Sequence, residues 1–163
     1  MIGEYLRVTD AELARAIKEP EWALDLIDEV VDAQEEAAPP PGRARHLTTY
    51  QAWHLIAFLL HRADFPVDVV YGERDLTEED WGYGPAKYLD AAQVATAAAA
   101  LAPLTYDALV EGLDPAELTA AEIYPMTWDD PDPFAWGRTW FEPLPPFFAA
   151  AAAAGDSMLV WLA

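Results

Sequence analysis

Two of the chain's three histidines stand where a helix can present them to a pocket. His54 and His61 lie seven residues apart in an apolar stretch, so two helical turns place them on one side, roughly 10 Å apart at about 1.5 Å per residue. That separation is too long for both rings to hold one ion, and the i,i+4 spacing of a helical metal site does not occur. We therefore expect His54 to be a polar group on a pocket wall or a structural histidine.

A second group of candidates surrounds a turn with two glycines, Gly82 and Gly84. Its aromatic and basic members are Trp81, Tyr83, Lys87 and Tyr88. No other Lys or Arg follows Lys87 before Arg138, so if the protein binds an anion, this turn is the first candidate site. The G-x-G-x-x-G phosphate motif is not satisfied, because Lys87 stands at the position of its third glycine. The alternative is a tight turn that leads from a strand into a helix.

A proline-rich segment from 123 to 137 carries many aromatic residues and is predicted to be a loop. Tyr124, Trp128 and Trp136 are its candidate contact residues, since Tyr and Trp often anchor interfaces and rigid loops lose little entropy on binding. The alternative is that these side chains cover the core where regular structure is missing.

The same segment contains three aspartates, Asp129, Asp130 and Asp132, whose oxygens are typical ligands of Mg²⁺ or Ca²⁺. The glycine and glutamate positions of an EF-hand loop are not matched, and Pro131 and Pro133 stiffen the backbone that would have to wrap an ion. We expect a solvated acidic loop here, and no metal or other cofactor.

The composition narrows the chemistry that is available. The chain has 163 residues, no Cys, no Asn and a single serine, Ser157, so disulfides, thiolate metal sites and most nucleophilic mechanisms are excluded. Its 29 acidic and 9 basic residues give a net charge of −20. Nucleic acid and anionic membranes would be repelled, whereas a basic protein would be attracted. An even spread of acidic residues also suits plain solubility.

Local patterns predict the elements that position these residues. Strands are expected at residues 2–8, 66–73 and 158–162, and helices begin after the capping residues Thr9, Asp90, Thr105 and Asp114. Leu13, Ala14 and Ile17 are predicted to form a buried stripe, Thr48 or Thr49 to cap a central helix that ends near Arg62, and residues 76–88 to be irregular. The apolar run 158–162 is predicted to be a buried central strand paired with the first. We predict a single α+β domain over residues 1–163, mostly helical, with a small sheet that includes the N- and C-terminal strands.

Five stretches, taken in order, resemble a known family. They are IGEYLRVT at the start, YQAWHLIAFLL at 50–60, GYGPAKYLDAAQV at 82–94, AEIYP at 121–125 and AAAAGDSMLVWL at 151–162. Together they resemble the YfbM-like family of small bacterial single-domain proteins of unknown function. The resemblance implies an α+β fold, a cytoplasmic setting and an immunity-like role beside bacterial toxin systems, but no catalytic residue.

Two functions remain open from the sequence. We favour a non-catalytic binding module that recognises a basic protein partner through the aromatic and acidic loop. The alternative is a small-molecule-binding protein or enzyme with one pocket near His54, Tyr83 and Lys87. The opening residues lack the apolar run of a secretion signal, so a cytoplasmic, bacterial protein is expected.

Overall fold

A five-stranded antiparallel sheet forms the middle layer of the computed structural model, which describes residues 1–126 and 128–163. The order across the sheet is β2-β1-β5-β4-β3. The strands are β1 (Gly3–Val8), β2 (His46–Tyr50), β3 (Arg74–Asp80), β4 (Pro85–Leu89) and β5 (Ser157–Leu162). The predicted α+β class, with the first and last strands in one sheet, is confirmed.

Helices cover both faces of this sheet. They are α1 (Asp10–Lys18), α2 (Pro20–Ala37), α3 (Trp53–Arg62), α4 (Ala91–Leu101), α5 (Tyr106–Val110), α6 (Pro115–Ala120), α7 (Ala135–Phe141) and α8 (Leu144–Ala154). One face packs against α1 and α2 and forms the smaller core. The other face packs against the remaining helices and forms the main core. Within the described residues, no helix is long and apolar enough to cross a membrane.

Strand β5 is buried on both sides, as its continuous apolar sequence predicts. Met158 and Val160 point into the main core, whereas Leu159 and Trp161 point into the smaller one. Because successive side chains of a strand alternate between faces, a run of apolar residues is needed where both faces are covered.

The two chain ends are held together beside this strand. Gly3 is paired with Leu162, and the Ile2 and Ala163 backbones exchange hydrogen bonds of 2.7 and 2.9 Å. The guanidinium of Arg7 pairs with Asp156 at 3.0 Å, and both side chains are largely buried. The pair therefore links β1 to the turn that precedes β5.

The predicted helix caps are confirmed because they depend only on neighbouring residues. The side chains of Thr9, Asp90, Thr105 and Asp114 each accept a hydrogen bond from a backbone N–H of the first turn. Gly155, with a φ of 71°, ends α8 in the left-handed conformation that glycine adopts easily.

The predicted cap at Thr48 or Thr49 was wrong. These residues lie in β2, and α3 begins only at Trp53. The hydroxyl of Thr49 is buried and donates to the Gly3 carbonyl oxygen at 3.2 Å, so its polar group serves the pairing with β1.

The predicted buried stripe of α1 was wrong at Ala14 and Ile17, whereas Leu13 packs against the smaller core. Ile17 is 45% exposed and Ala14 is exposed, whereas Ala16 is buried. The helix is short and packs against α2, so a small residue takes the position of close approach.

The strand predicted at 66–73 is a series of turns. The side chain of Asp68 accepts hydrogen bonds from the Val70 and Tyr71 N–H groups, and Gly72 has a φ of 79°. Strands β3 and β4 occupy the region that was predicted to be irregular. Only Leu76 of β3 is buried, and charged residues are typical of such an edge strand.

The predicted loop from 123 to 137 extends into a short helix. Helix α7 begins at Ala135, and Thr127 of the loop lies outside the described residues. Gly137 lies inside α7, although glycine has a low helix propensity. Packing explains the glycine, because a Cβ there would collide with the hydroxyl of Tyr106 and with Leu55.

Gly137→Ala is therefore expected to destabilise the protein by about 1–3 kcal/mol, although alanine favours helices. The added methyl group must displace Tyr106, whose hydroxyl donates to the Phe134 carbonyl oxygen at 2.5 Å. Gly42→Ala is the matched control, because a Cβ at Gly42 meets nothing within 4 Å. Urea unfolding compares the two, and equal midpoints would contradict the packing argument.

Asp156→Ala is expected to lower the free energy of unfolding by about 3 kcal/mol. The substitution leaves the Arg7 charge buried with only the Ala44 and Ala150 carbonyl oxygens as acceptors. Replacing both partners, as Arg7→Met with Asp156→Ala, removes that charge. Denaturant unfolding should show the double variant to be more stable than Asp156→Ala alone. A double variant that is less stable would show that the pair acts through packing instead.

Candidate functional site

A cavity of about 410 Å³ lies between α3 and the turns that follow it. Its walls combine aromatic and aliphatic side chains with two histidines, one tyrosine and two carboxylates. The lining residues are His54, Ala57, Phe58, Leu60, His61, Phe65, Pro66, Val67, Asp68, Val69, Val70, Tyr71, Glu73 and Ile123. Such a volume and mixture are typical of sites for small organic molecules.

His54 is fixed on the first turn of α3. Its ring stacks on Trp53 with centroids 4.8 Å apart, and its Nδ1 accepts a hydrogen bond of 3.0 Å from the Tyr124 N–H. An Nδ1 that accepts has no proton, so the neutral ring carries its proton on Nε2. Burial lowers the pKa of His54, which favours this neutral form.

Asp68 and Glu73 hold the turns on the other side of the cavity. Oδ1 of Asp68 accepts from the Val70 and Tyr71 N–H groups at 3.2 and 2.9 Å, and Oε1 of Glu73 accepts from the Asp68 N–H at 2.7 Å. Burial, together with the nearby Asp68 carboxylate, raises the pKa of Tyr71. The phenol is therefore neutral at physiological pH.

These turn residues were missed by sequence reasoning. Asp68, Tyr71 and Glu73 belong to the stretch that was predicted to be a strand, because its valines resemble strand residues. The available signal was an aspartate four residues before Gly72, a combination that is common in turns.

The other predicted pocket residues lie on the β3–β4 hairpin. The cavity lining includes His54 but neither Tyr83 nor Lys87, so the three residues do not surround this cavity. Lys87 pairs with Asp75 at 3.5 Å. Trp81 and Tyr88 pack against the smaller core, whereas Tyr83 is 60% exposed at the hairpin tip.

The glycine turn is occupied by its own carboxylate. Asp80 accepts hydrogen bonds from the N–H groups of Gly82 and Gly84 at 2.8 and 2.9 Å, and these two bonds lower its pKa. The Tyr83 N–H donates to the Leu162 carbonyl oxygen. The backbone groups that would hold an anion are therefore already used.

The aromatic segment mainly completes the core. Trp128 is 5% exposed and its indole N–H donates to the Ile123 carbonyl oxygen at 3.0 Å. Trp136 and Tyr124 are half-buried against the main core. This arrangement agrees with the second interpretation of the segment, in which its aromatic residues cover the core.

Asp129, Asp130 and Asp132 are exposed. Across residues 1–126 and 128–163, no group of three or more histidines and carboxylates is arranged to hold a metal ion.

A second surface, which we call the acidic face, consists of the outer side of α2 and the adjoining end of β3. Helix α2 has no basic residue and carries seven exposed carboxylates: Glu21, Asp25, Asp28, Glu29, Asp32, Glu35 and Glu36. None of these seven forms an ion pair within the described part of the chain. A groove of about 580 Å³ joins α2 to Glu79 of β3 and is lined in part by Trp22.

The environment of His54 predicts a pH dependence of stability. Its pKa is lower in the folded chain than its ordinary value of 6.5, so the unfolded chain binds the proton more readily. The contribution of His54 to the free energy of unfolding is complete above pH 6.5 and decreases as the pH falls below that value. Between about pH 7.5 and about pH 5.5, the wild type should lose more stability than His54→Gln in denaturant unfolding.

His61→Gln is the control for this experiment, because His61 is exposed and the variant should behave like the wild type. An equal loss in the wild type and in His54→Gln would contradict the assignment.

Comparison with known proteins supports the resemblance seen in the motifs. A structure solved for a protein of unknown function, YfbM from Escherichia coli, is similar with a TM-score of 0.61 and 20% identity, over 98% of this chain and 98% of that chain. At that identity the likeness concerns the fold alone. No curated protein matches. The model of the family described as a domain of unknown function (DUF1877) matches residues 1–161. The chain therefore belongs to this YfbM-like family, DUF1877.

Proposed function

We propose that this protein is a non-catalytic binding module that recognises a basic protein partner through its acidic face. The observation that carries the proposal is the set of seven exposed carboxylates on α2, with no base on that helix. Charges left without partners at a surface attract an oppositely charged protein and accelerate its approach. The same charge disfavours nucleic acid and anionic membranes.

The acidic face also contains a groove that a partner's side chain can enter. The groove beside Trp22 is lined by Glu19, Glu21, Asp25 and Glu79 against only two bases, Arg15 and Lys18. Arg15 is already engaged with Glu19 at 3.1 Å and lies over the Trp22 ring at 4.3 Å. The net charge of the groove is therefore negative, and a side chain of Lys or Arg fits it.

Exposed apolar groups lie on α2 and on the β3–β4 hairpin, the elements that carry these charges. Leu24 of α2 is 40% exposed, and Tyr83 extends from the hairpin that follows β3. Aromatic and aliphatic anchors within a charged rim are typical of binding surfaces. The proposal thus keeps Tyr83 as a contact residue and moves the surface from the aromatic loop, whose Trp128 is buried, to the acidic face.

An immunity-like role is the finer form of this proposal. In that case the partner is a basic toxin, and covering it neutralises its activity in the bacterial cytoplasm. The family resemblance supports this form, and co-expression with a candidate toxin, read as restored growth, tests it separately.

The surface is tested by neutralising three carboxylates at a time. Glu21→Gln, Asp25→Asn and Glu79→Gln change the acidic face, whereas Asp129→Asn, Asp130→Asn and Asp132→Asn change the aromatic loop by the same total charge. Captures from bacterial lysate with the wild type are expected to contain a basic protein. Its affinity should fall about tenfold for the face variant and remain unchanged for the loop variant.

Salt provides a second measurement on the same complex. Binding to the wild type should weaken as ionic strength rises above about 0.15 M, because surface charges are screened. Loss of binding in the loop variant alone would place the surface on the aromatic loop. If no basic protein is captured at low salt, the proposal fails.

A further inference from the structure

The cavity beside His54 lies apart from the acidic face and has a charge of its own. Counting histidines as neutral, its lining contains two negative groups, Asp68 and Glu73, and no Lys or Arg. A cavity with this lining repels anionic molecules and attracts cationic ones.

Both carboxylates retain an oxygen for a ligand. Asp68 uses Oδ1 to hold the turn, and Glu73 uses Oε1. Within the described residues, Oδ2 of Asp68 and Oε2 of Glu73 accept no hydrogen bond and form no ion pair. The turn is thus held by one oxygen of each group, while the second is available to an N–H donor.

Apolar residues elsewhere in the lining do not offset this charge. Phe58, Phe65 and Val70 provide a surface for a hydrocarbon or aromatic body. His54 adds a donor at Nε2 and no positive charge near neutral pH, since its Nδ1 is occupied by the Tyr124 N–H. An ammonium group and an apolar body can therefore be bound in one place.

A buried hydroxyl beside this site lacks a partner. Tyr5 is 1% exposed, and among the described residues its Oη has no partner with good hydrogen-bond geometry. The neighbouring Thr49 hydroxyl donates to the Gly3 carbonyl oxygen at 3.2 Å. Burial raises the pKa of Tyr5, and the negative charge of Asp68 raises it further. Unpartnered buried hydroxyls are rare, and this one lies in the main core that also contains Val67 and Val70 of the cavity wall.

We propose that this cavity binds a small organic cation, a primary or secondary amine with an apolar body. Its ammonium group contacts the free oxygens of Asp68 and Glu73, and its body packs against Phe58 and Phe65. This site is independent of the acidic face, so either proposal can fail without the other.

Three amines and one acid are suitable probes for calorimetry and for ligand-observed NMR. The amines are tyramine, phenethylamine and hexylamine, and the acid is 3-(4-hydroxyphenyl)propionate, which replaces the ammonium group of tyramine by a carboxylate. At least one amine should bind with a dissociation constant below about 10 mM, and the acid should bind at least about tenfold more weakly than tyramine.

Asp68→Asn with Glu73→Gln is the decisive variant. It removes both charges and keeps the amide oxygens that hold the turn, so the fold should persist, as circular dichroism can verify. Affinity for the amine should fall at least about tenfold, whereas Glu79→Gln on the acidic face should leave it unchanged. Equal binding of acid and amine, no binding of any amine, or unchanged affinity in the folded double variant would overturn the proposal.

Discussion

The structure depends on β5, an apolar strand that is paired on both edges and covered on both faces. Its neighbours β1 and β4 supply the hydrogen bonds, and the main and smaller cores take its alternating side chains. A strand that is apolar on both faces is stable in water only when other elements cover each face. The six residues of β5 therefore require the three-layer arrangement of helices, sheet and helices. The buried ion pair of Arg7 and Asp156 then fixes where this strand begins.

The two proposed sites lie on opposite sides of that sheet. The acidic face belongs to α2, which packs on the smaller core, whereas the cavity is built by α3 and the turns beside the main core. Both use the surplus of carboxylates, but differently. On α2 the carboxylates are spread along the outer side of the helix, suited to a large partner, whereas Asp68 and Glu73 line a cavity of about 410 Å³.

Sequence reasoning succeeded where neighbouring residues decide the outcome. The caps at Thr9 and Asp90 and the terminal strands were predicted, because each depends on a local pattern. Strands β2, β3 and β4 were missed. The edge strands β2 and β3 owe their conformation to pairing, and β4 begins at a proline directly after the glycine turn. In the site, the sequence left His54 open between a pocket wall and a structural role, and it did not single out Asp68 or Glu73, because valine-rich turns resemble a strand.

The pairing of β1 with β5 has a consequence for biosynthesis. Gly3 pairs with Leu162, so β1 cannot complete its pairing until β5 has been synthesised. Contacts so distant in sequence slow folding, and until they form, the apolar side chains of β1 remain open to other chains. Folding is therefore expected to be cooperative, because β1 completes its pairing only together with β5.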